Sequence, residues 1–408
     1  MNSLANDVVV VGGRCAGAAT AMLLARRGLR VTLVERSRMP SDTLSTHGIA
    51  RGGVVQLSRW GLLDEVLASG APAIRQVVFG LDGVETVRPL KDHAGVDVLI
   101  APRRHVLDTI LLRAAAEAGA AIRTGVAATG VLRADDGRVE GIRSSAGDIP
   151  ARLTIGADGV RSRMATFFGA DLVESHPSEA ATYYVYVAGL PNRGFEYHLG
   201  SGLFAGVFPT HDGLSCVWVC GPAPTTSRAT TGFADLLARA SPSLARRVSQ
   251  GHITSRVRGA ARLPNLRRRA TGPGWALVGD AGYHRDPITG HGMTDAFRDA
   301  ELLARDISTY ERRRDDAVRE VFAITREMTR FPPPDEFTAL QRRLSRALDE
   351  EATTLASMPK GSEWWISQGC GVAQSAPDSR HETPKYNTGI RALRAGCQPP
   401  SGPRLALG

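Results

Sequence analysis

A glycine-rich turn near the start of the chain has the residue spacing of a dinucleotide site. Gly12 and Gly17 are its first and third glycines, and Glu35 follows 18 residues later. Such a turn presents the free N–H groups of a helix start to a pyrophosphate, and the later carboxylate accepts hydrogen bonds from ribose hydroxyls. Arg14 stands where a second glycine is usual, and its guanidinium either hinders the approach of the backbone or binds a phosphate. The predicted cofactor contacts here are Gly12, Gly13, Arg14, Ala16, Gly17, Glu35 and Arg36.

A second glycine-containing segment, about 260 residues downstream, indicates which dinucleotide binds. A domain for NAD alone needs no such element, whereas FAD is long and its ribityl chain and ring need separate anchors. We therefore predict FAD, with Asp280 accepting a hydrogen bond from a ribityl or ribose hydroxyl. Backbone N–H groups of the turn at Gly290–Met293 are expected to stabilise the negative edge of the reduced ring. The predicted contacts are Gly279, Asp280, Pro287, Gly290, Gly292 and Met293.

Histidine and aromatic residues are the candidates for catalysis and substrate contact. His47 lies in the loop after the second predicted strand and is a candidate general acid, general base or hydrogen-bond donor. A capping or packing role for it remains equally open. Tyr184 and Tyr186 alternate on one face of a predicted strand, and Phe208 belongs to another, so we expect them to line a pocket. Core packing is the alternative for each. His291 is a further candidate for substrate contact.

The elements that must position these residues follow an α/β pattern. Val8–Val11 is an unbroken apolar run typical of a buried parallel strand, followed by a small-residue helix and a second strand at Arg30–Val34. Residues 56–69 and 335–358 are predicted helices. We predict a Rossmann-like FAD-binding domain of the glutathione-reductase type with an inserted sheet domain and C-terminal helices. The expected parts are an FAD domain from 1–75, 101–170 and 266–330, a substrate sheet domain from 76–100 and 171–265, a helical segment 331–362 and a loose tail 363–408.

The charge distribution argues against a nucleic-acid partner. The 408 residues include 50 Lys+Arg and 41 Asp+Glu, a formal net charge of +9. Nine arginines and no acid lie between Arg239 and Arg269, so the remainder of the chain is neutral. A nucleic-acid binder would carry basic residues over a whole face. We expect this local excess to serve solvation or the attraction of anionic NADPH.

The cysteine count and hydropathy set further expectations. Five irregularly spaced cysteines predict neither a disulfide framework nor a metal site. No apolar run reaches the ~18 residues of a membrane-spanning helix. We expect a cytoplasmic protein without integral membrane association and leave its oligomeric state open.

A third motif, Asp158 and Gly159 at the end of an apolar strand, completes a family pattern. With Gly12–Gly17 and Gly279-Asp280 it resembles the flavoprotein monooxygenases of the para-hydroxybenzoate hydroxylase type and their geranylgeranyl-reductase-like relatives, over roughly residues 7–350. The resemblance implies that Asp158 and Gly159 contact both FAD and NAD(P)H, and that the loop carrying His47 approaches the flavin.

The resemblance also implies that Arg51 and Arg103 lie against the pyrophosphate or ribityl region. Ala165 departs from the family, because an arginine is frequent there, and this weakens the expectation of NAD(P)H docking at that point.

The resemblance implies an FAD-dependent, NAD(P)H-consuming enzyme. Our first hypothesis is a monooxygenase that uses O₂ and a flavin C4a-hydroperoxide to hydroxylate or epoxidise a small apolar or aromatic substrate, in secondary metabolism. Such chemistry needs a water-poor pocket. The alternative is a reductase or dehydrogenase of the geranylgeranyl-reductase type acting on a C=C bond. A flavin-dependent halogenase, against which the missing Trp-x-Trp-x-Ile-Pro stretch argues, and an inactive flavin-binding protein are two further alternatives.

Overall fold

The computed structural model describes residues 6–81, 83–226 and 229–359. The tail expected at 363–408 and the end of the helical segment 331–362 lie outside the described residues. The strands are β1 (Asn6–Val11), β2 (Val31–Glu35), β3 (Gln76–Leu81), β4 (Val84–Pro89), β5 (Ala121–Thr124), β6 (Ala128–Arg133), β7 (Val139–Ser144), β8 (Ile149–Gly156), β9 (Leu172–His176), β10 (Ala180–Ala188), β11 (Phe195–Gly200), β12 (Leu203–Pro209), β13 (Leu214–Pro222), β14 (His252–Ile253), β15 (Arg258–Ala261), β16 (Asn265–Arg268), β17 (Thr271–Gly272), β18 (Trp275–Leu277) and β19 (Tyr283–His284). The α-helices are α1 (Cys15–Ala25), α2 (Arg51–Arg59), α3 (Leu63–Ala68), α4 (Arg104–Glu117), α5 (Arg163–Phe168), α6 (Ala223–Thr226), α7 (Ala229–Ala240), α8 (Pro242–Gln250), α9 (Gly292–Arg305), α10 (Ile307–Met328) and α11 (Pro334–Ser357).

A parallel sheet forms the centre of the fold, in the order β18-β8-β1-β2-β5. Val8, Val9 and Val10 of β1 are almost fully buried, because both faces of a parallel sheet are covered. The helices α1, α4 and α9 contribute to the apolar cluster on one face, and α5 packs with the cluster that includes Val9 and Trp275 on the other. The predicted α/β, Rossmann-like class is confirmed.

A second, mostly antiparallel sheet has the order β14-β10-β13-β12-β11-β3-β4, with β15 also paired to β10. Strand β3 joins it by parallel pairing with β11, although the two are far apart in the chain. One face packs on α7 and α8, and the other packs on side chains of α10 and α11. Strand β9 belongs to neither sheet and pairs with β16 in a small third sheet.

The helix expected at residues 56–69 is two helices. The first, α2, begins earlier, at Arg51, and the chain turns at Gly61 before α3 starts. Gly61 has φ +75°, a left-handed conformation that glycine adopts at little cost. The expected helix at 335–358 corresponds closely to α11. Within the described residues, none of the helices is long and apolar enough to cross a membrane.

The start of α10 provides a test of local stability. Asp306 accepts hydrogen bonds from the Ser308 backbone N–H (2.9 Å) and the Thr309 hydroxyl (2.8 Å). We expect Asp306→Ala to lower the free energy of unfolding by about 1 kcal/mol, since the helix start loses its cap. The control Asp316→Ala removes a mid-helix carboxylate that pairs with Arg319 on the surface, and should change the free energy by less than about 0.5 kcal/mol. Urea unfolding followed by circular dichroism would measure both, and equal effects would contradict the capping role.

Candidate active site

The glycine fingerprint is held against the end of β2 by Glu35. The Glu35 side chain is buried, and its Oε2 accepts a hydrogen bond of 2.7 Å from the Gly13 N–H. Its Oε1 accepts one of 2.8 Å from the Ser37 N–H. Glu35 therefore shapes the turn in addition to its predicted contact with a ribose, which stays a prediction. Arg36, next in the chain, is exposed.

The first turn of α1 is open toward the fingerprint. Arg14 is the N-cap residue, and its side chain does not bond to the helix N–H groups. Instead its guanidinium donates to the Asp108 carboxylate at 2.9 Å and to the backbone oxygen of Ser41 at 3.2 Å. The N–H groups of this first turn therefore donate no hydrogen bond to the side chain of the N-cap residue, and they are suited to bind an anion.

The segment at Gly279 and Asp280 comes from the other end of the fold and packs directly on α1. A Cβ at Gly279 would lie 2.8 Å from the Cβ of Ala16, so only glycine permits this approach. The Gly279 N–H donates to Asp299 at 3.1 Å. Burial raises the pKa of Asp280. Two motifs separated by most of the chain therefore meet at the start of α1.

The turn before α9 is also open. Gly290 has φ +69°, and a Cβ built on Gly290 or Gly292 would meet no atom within 4 Å. His291 occupies the N-cap position of α9, but its side chain accepts no hydrogen bond from the N–H groups of the helix. Its Nδ1 has no hydrogen-bond partner among the described residues. Burial lowers the pKa of His291 to about 3. Pro287 begins the short turn before Gly290, and Met293 is buried in the first turn of α9.

Buried ion pairs lie behind this turn. Arg285 and Arg298 both bind Asp295, at 2.8 and 2.6 Å, and Arg298 also reaches Glu351 of α11 at 3.0 Å. Burial alone would raise the pKa of Asp295, but the two guanidinium groups lower it to about 2. The sequence analysis did not single out these residues. Their spacing on α9 follows the helical period, but the contacts to Arg285 and Glu351 depend on tertiary structure.

Asp158 serves as a helix cap. Its Oδ1 accepts from the Ser162 hydroxyl at 2.5 Å, and its Oδ2 accepts from the Arg163 and Met164 N–H groups at 2.7 and 3.1 Å. Both carboxylate oxygens therefore fix the start of α5. Gly159 has φ +83° with open space beside it. Contacts of this pair with FAD or NAD(P)H stay predictions.

The arginines carried over from the family pattern lie in different surroundings. The Arg51 guanidinium donates to the carbonyl oxygens of Lys91, at 3.1 Å, and Val96, so its described contacts do not lead to the fingerprint. Arg103 donates to Asp42 at 2.8 Å, and its guanidinium carbon lies 4.1 Å from the centre of the Tyr186 ring. Arg103 thus belongs to the aromatic side of the site.

The neighbouring residue, Arg104, is the one connected to the fingerprint, and the sequence analysis missed it. Arg104 donates to the buried Asp108 carboxylate at 3.1–3.2 Å, one helical turn along α4. Asp108 in turn holds Arg14. The i,i+4 spacing of an arginine and an aspartate was visible in the sequence, but nothing local showed that Arg14 would complete the group.

His47 and Tyr186 form a buried hydrogen-bonded pair. The His47 Nε2 lies 2.6 Å from the Tyr186 hydroxyl oxygen, and both side chains are at most 3% exposed. Burial lowers the pKa of His47 to about 3, so its ring is neutral at pH 7. Its backbone has φ +69°, and the neighbouring Ser45 hydroxyl accepts a hydrogen bond from the His47 N–H at 3.0 Å. A non-glycine residue in this conformation needs support from its surroundings.

Tyr184 and Phe208 extend this pair into a wall, which we call the aromatic wall and define as His47, Tyr184, Tyr186 and Phe208. The Tyr184 and Tyr186 ring centres are 5.7 Å apart. A Cβ on Gly48, next to His47, would lie 3.0 Å from the Phe208 ring. The structure thus brings these four predicted residues together, but their contact with a substrate stays a prediction. His291 has no described contact with them.

The arginine-rich stretch is largely engaged within the protein. Arg267 pairs with Asp315 at 2.5 Å and with Glu174 at 3.6 Å, and Arg269 donates to Asp171 at 3.1 Å. Other described contacts in the stretch are those of Arg247 to Glu196, Arg258 to Asp42 and Arg268 to the carbonyl oxygen of Ala281. Several of these arginines therefore have partners without a cofactor. Attraction of NADPH by the stretch stays a prediction.

The starts of α1 and α9 lack a side-chain cap, the glycines of the turn before α9 have open space beside them, and the Asp280 carboxylate lies close to the start of α1. Together these features fit the extended FAD molecule. Residues 5–327 match the family described as FAD binding domain. The chain belongs to this family. It is therefore a flavoprotein and an FAD-dependent oxidoreductase, which confirms FAD as the predicted cofactor and the predicted enzyme class. Gly12–Gly17 and Gly279-Asp280 stay the residues that we predict to hold FAD.

Similar proteins catalyse different reactions. A digeranylgeranylglycerophospholipid reductase from Methanothrix thermoacetophila is 30% identical over 316 residues, which cover 74% of this chain and 77% of the relative. PqsL, a probable FAD-dependent monooxygenase from Pseudomonas aeruginosa, has a TM-score of 0.73 at 21% identity, covering 83% of this chain and 99% of PqsL. The myxobacterial chondrochloren halogenase CndH has a TM-score of 0.67 at 19% identity, covering 87% of this chain and 96% of the halogenase. These two solved structures show the fold alone.

The predicted role of Asp280 can be measured as flavin retention. We expect Asp280→Ala to weaken FAD binding at least about tenfold, because a hydrogen bond from the cofactor to a carboxylate is lost. The visible flavin absorbance per protein after gel filtration reports this, with far-ultraviolet circular dichroism to verify folding. Asp171→Ala, which removes an exposed carboxylate paired with Arg269, is the control. Wild-type flavin content in a folded Asp280→Ala protein would refute the role.

Buried His47 makes stability depend on pH. The unfolded histidine has a pKa of about 6.5, so below that pH the unfolded chain gains a proton that native His47, with a pKa of about 3, does not. Stability from this residue is therefore complete above pH 6.5 and is lost as pH falls toward 3. Between pH 7 and 5 the wild type should lose about 2 kcal/mol more than His47→Asn, whose side chain tolerates positive φ. Urea unfolding at both pH values tests this; parallel losses in the two proteins would contradict it.

Proposed function

We propose that this flavoprotein is an NAD(P)H-consuming monooxygenase that hydroxylates or epoxidises a small apolar or aromatic molecule with O₂, in secondary metabolism. The observation that carries the proposal is the neutral and buried character of the aromatic wall. FAD, when bound, supplies the redox and oxygen chemistry. Such chemistry is efficient only where protein side chains exclude water.

Burial favours the uncharged form of every ionisable side chain in the aromatic wall. Burial lowers the pKa of His47 to about 3 and raises the pKa values of Tyr184 and Tyr186. All three are therefore uncharged at pH 7. A surface of this kind favours an apolar substrate, but it is a poor proton source because effective general acids have pKa values near the working pH. Both reactions take up one proton overall, so the absence of an effective acid in the wall does not separate them. Oxygenation is favoured because these buried, uncharged side chains exclude water.

The hydrogen bond between His47 and Tyr186 is the polar feature of the wall to which we assign substrate orientation. A substrate hydroxyl that reaches this pair would be held by the Tyr186 oxygen. Arg103 lies over the Tyr186 ring and is neutralised by Asp42, so it packs on the ring without leaving an unpaired charge. The pair thus offers one directional contact within an otherwise apolar surface.

The second candidate is a reductase that acts on a C=C bond. Its support is the 30% identity to the archaeal digeranylgeranylglycerophospholipid reductase over most of both chains. This sequence similarity is closer than that to PqsL or the halogenase. The substrate in this case would be a prenyl compound, with NADPH or NADH as the source of electrons in either reaction.

Oxygen consumption distinguishes the two functions. We expect the holoprotein to consume NADPH or NADH and O₂ in equal amounts when supplied with a phenolic or polyketide substrate, and to form an oxygenated product. An oxygen electrode, nicotinamide absorbance and mass spectrometry of the product measure this. Anaerobic turnover that saturates a C=C bond of a prenyl substrate would refute the monooxygenase and support the reductase.

Variants of the aromatic wall refine the same experiment. Tyr186→Phe should lower product formation at least about tenfold with unchanged flavin content, because substrate orientation is lost while packing is kept. Tyr183→Phe is the matched control, since Tyr183 lies three residues before Tyr186 in β10 and packs against the cluster on the opposite face of the sheet. Equal losses in both variants would show that the hydroxyl of Tyr186 has no particular role.

A further inference from the structure

One buried carboxylate organises the side of the fingerprint where Arg14 replaces a glycine. Asp108 is 0% exposed and accepts hydrogen bonds from Arg14 (2.9 Å) and Arg104 (3.1–3.2 Å). The Cys15 thiol also lies 3.3 Å from its Oδ1. Asp108 thus binds the N-cap residue of α1, the first residue of α1 and the first residue of α4 at the same point.

The charges of this group do not balance. Two guanidinium groups share the single Asp108 carboxylate, which leaves one positive charge beside the positive end of the α1 dipole. Arg104 also interacts electrostatically with Asp280, but burial raises the pKa of Asp280, so this carboxyl offsets the positive charge only in part. An excess of positive charge at a partly buried helix start is most stable when an anion is bound there.

Arg14 is held from two sides. Besides Asp108, its Nη2 donates to the Ser41 hydroxyl at 3.1 Å, and its Nη1 donates to the Ser41 carbonyl oxygen. The side chain is still 27% exposed, so the guanidinium keeps an accessible surface. A fixed arginine loses little conformational entropy when it binds an oxyanion, in contrast to a free surface arginine.

We propose that Arg14 binds the pyrophosphate of FAD and that Asp108 is the positioning residue that holds it there. The guanidinium supplies donors that compensate for the glycine missing at this place in the fingerprint. The proposal concerns cofactor binding and is independent of whether the reaction is oxygenation or C=C reduction.

Restoring the glycine gives a test in which the two interpretations predict opposite results. If Arg14 binds the pyrophosphate, Arg14→Gly should raise the dissociation constant of FAD about tenfold, as expected for the loss of a charge-assisted hydrogen bond. If Arg14 merely obstructs the turn, Arg14→Gly should bind FAD as tightly or more tightly. Titration of FAD into apoprotein prepared from the holoprotein, followed by flavin fluorescence, measures the constant. Tighter or equal binding would overturn the proposal.

A matched control separates position from charge. Arg26→Gly removes an exposed arginine from the C-cap of the same helix, where the guanidinium donates to the Trp60 carbonyl oxygen. It lowers the net charge equally but should leave the FAD dissociation constant unchanged. A rise equal to that of Arg14→Gly would attribute the effect to overall charge and reject the proposal.

Competition by FAD fragments shows which part of the cofactor Arg14 contacts. ADP carries the diphosphate and adenosine does not. Arg14→Gly should therefore raise the inhibition constant of ADP, calculated with each variant's own FAD dissociation constant, about tenfold and leave the inhibition constant of adenosine unchanged. Equal weakening for both would mean that Arg14 supports only the shape of the turn. Asp108→Asn should reproduce the ADP-selective loss, because an amide holds the guanidinium less firmly; a folded Asp108→Asn protein with wild-type ADP affinity would reject the positioning role.

Discussion

The fold depends on the close approach of backbone segments around the start of α1. A Cβ at Gly17 would lie 1.8 Å from the carbonyl oxygen of Gly12, and a Cβ at Gly12 would lie 2.4 Å from the carbonyl oxygen of Ala157. At the same place Gly279 touches Ala16. These glycines allow β1, α1, β8 and the turn after β18 to converge without side chains between them. The convergence leaves helix N–H groups facing outward, where a phosphate can reach them.

The two sides of the site have opposite electrostatic character. Around the fingerprint and behind the turn at Gly290, charged groups are held in fixed positions by buried carboxylates, as Asp108 holds Arg14 and Asp295 holds Arg285 and Arg298. At the aromatic wall, burial keeps His47 neutral instead. This separation suits a cofactor with an anionic pyrophosphate and a ring that meets an apolar molecule. It follows from the two sheets, because the parallel sheet presents helix starts and the second sheet presents aromatic side chains.

The sequence alone singled out the residues of the fingerprint and of the aromatic wall, but not the charged groups that surround them. The fingerprint and the turn at Gly279 were visible because glycine spacing is a local property. The surroundings of the arginines were harder to predict. Arg103 was chosen by its position in the family pattern, and its guanidinium lies on the Tyr186 ring. Its neighbour Arg104 binds Asp108, the carboxylate that also holds Arg14 of the fingerprint. Successive residues of a helix point in directions about 100° apart, so Arg103 and Arg104 face different parts of the site. The contact of Arg103 with the cofactor stays a prediction.

Sequence by itself determined the α/β class, the cofactor family and the aromatic strand that carries Tyr184 and Tyr186, because each depends on short-range spacing and hydropathy. Only the tertiary structure decided that His47 would be buried against Tyr186, that Asp108 would hold Arg14, and that Glu351 of α11 would reach Arg298. These contacts join residues between 53 and 139 positions apart. Their geometry results from the packing of whole elements, which no local pattern of residues encodes.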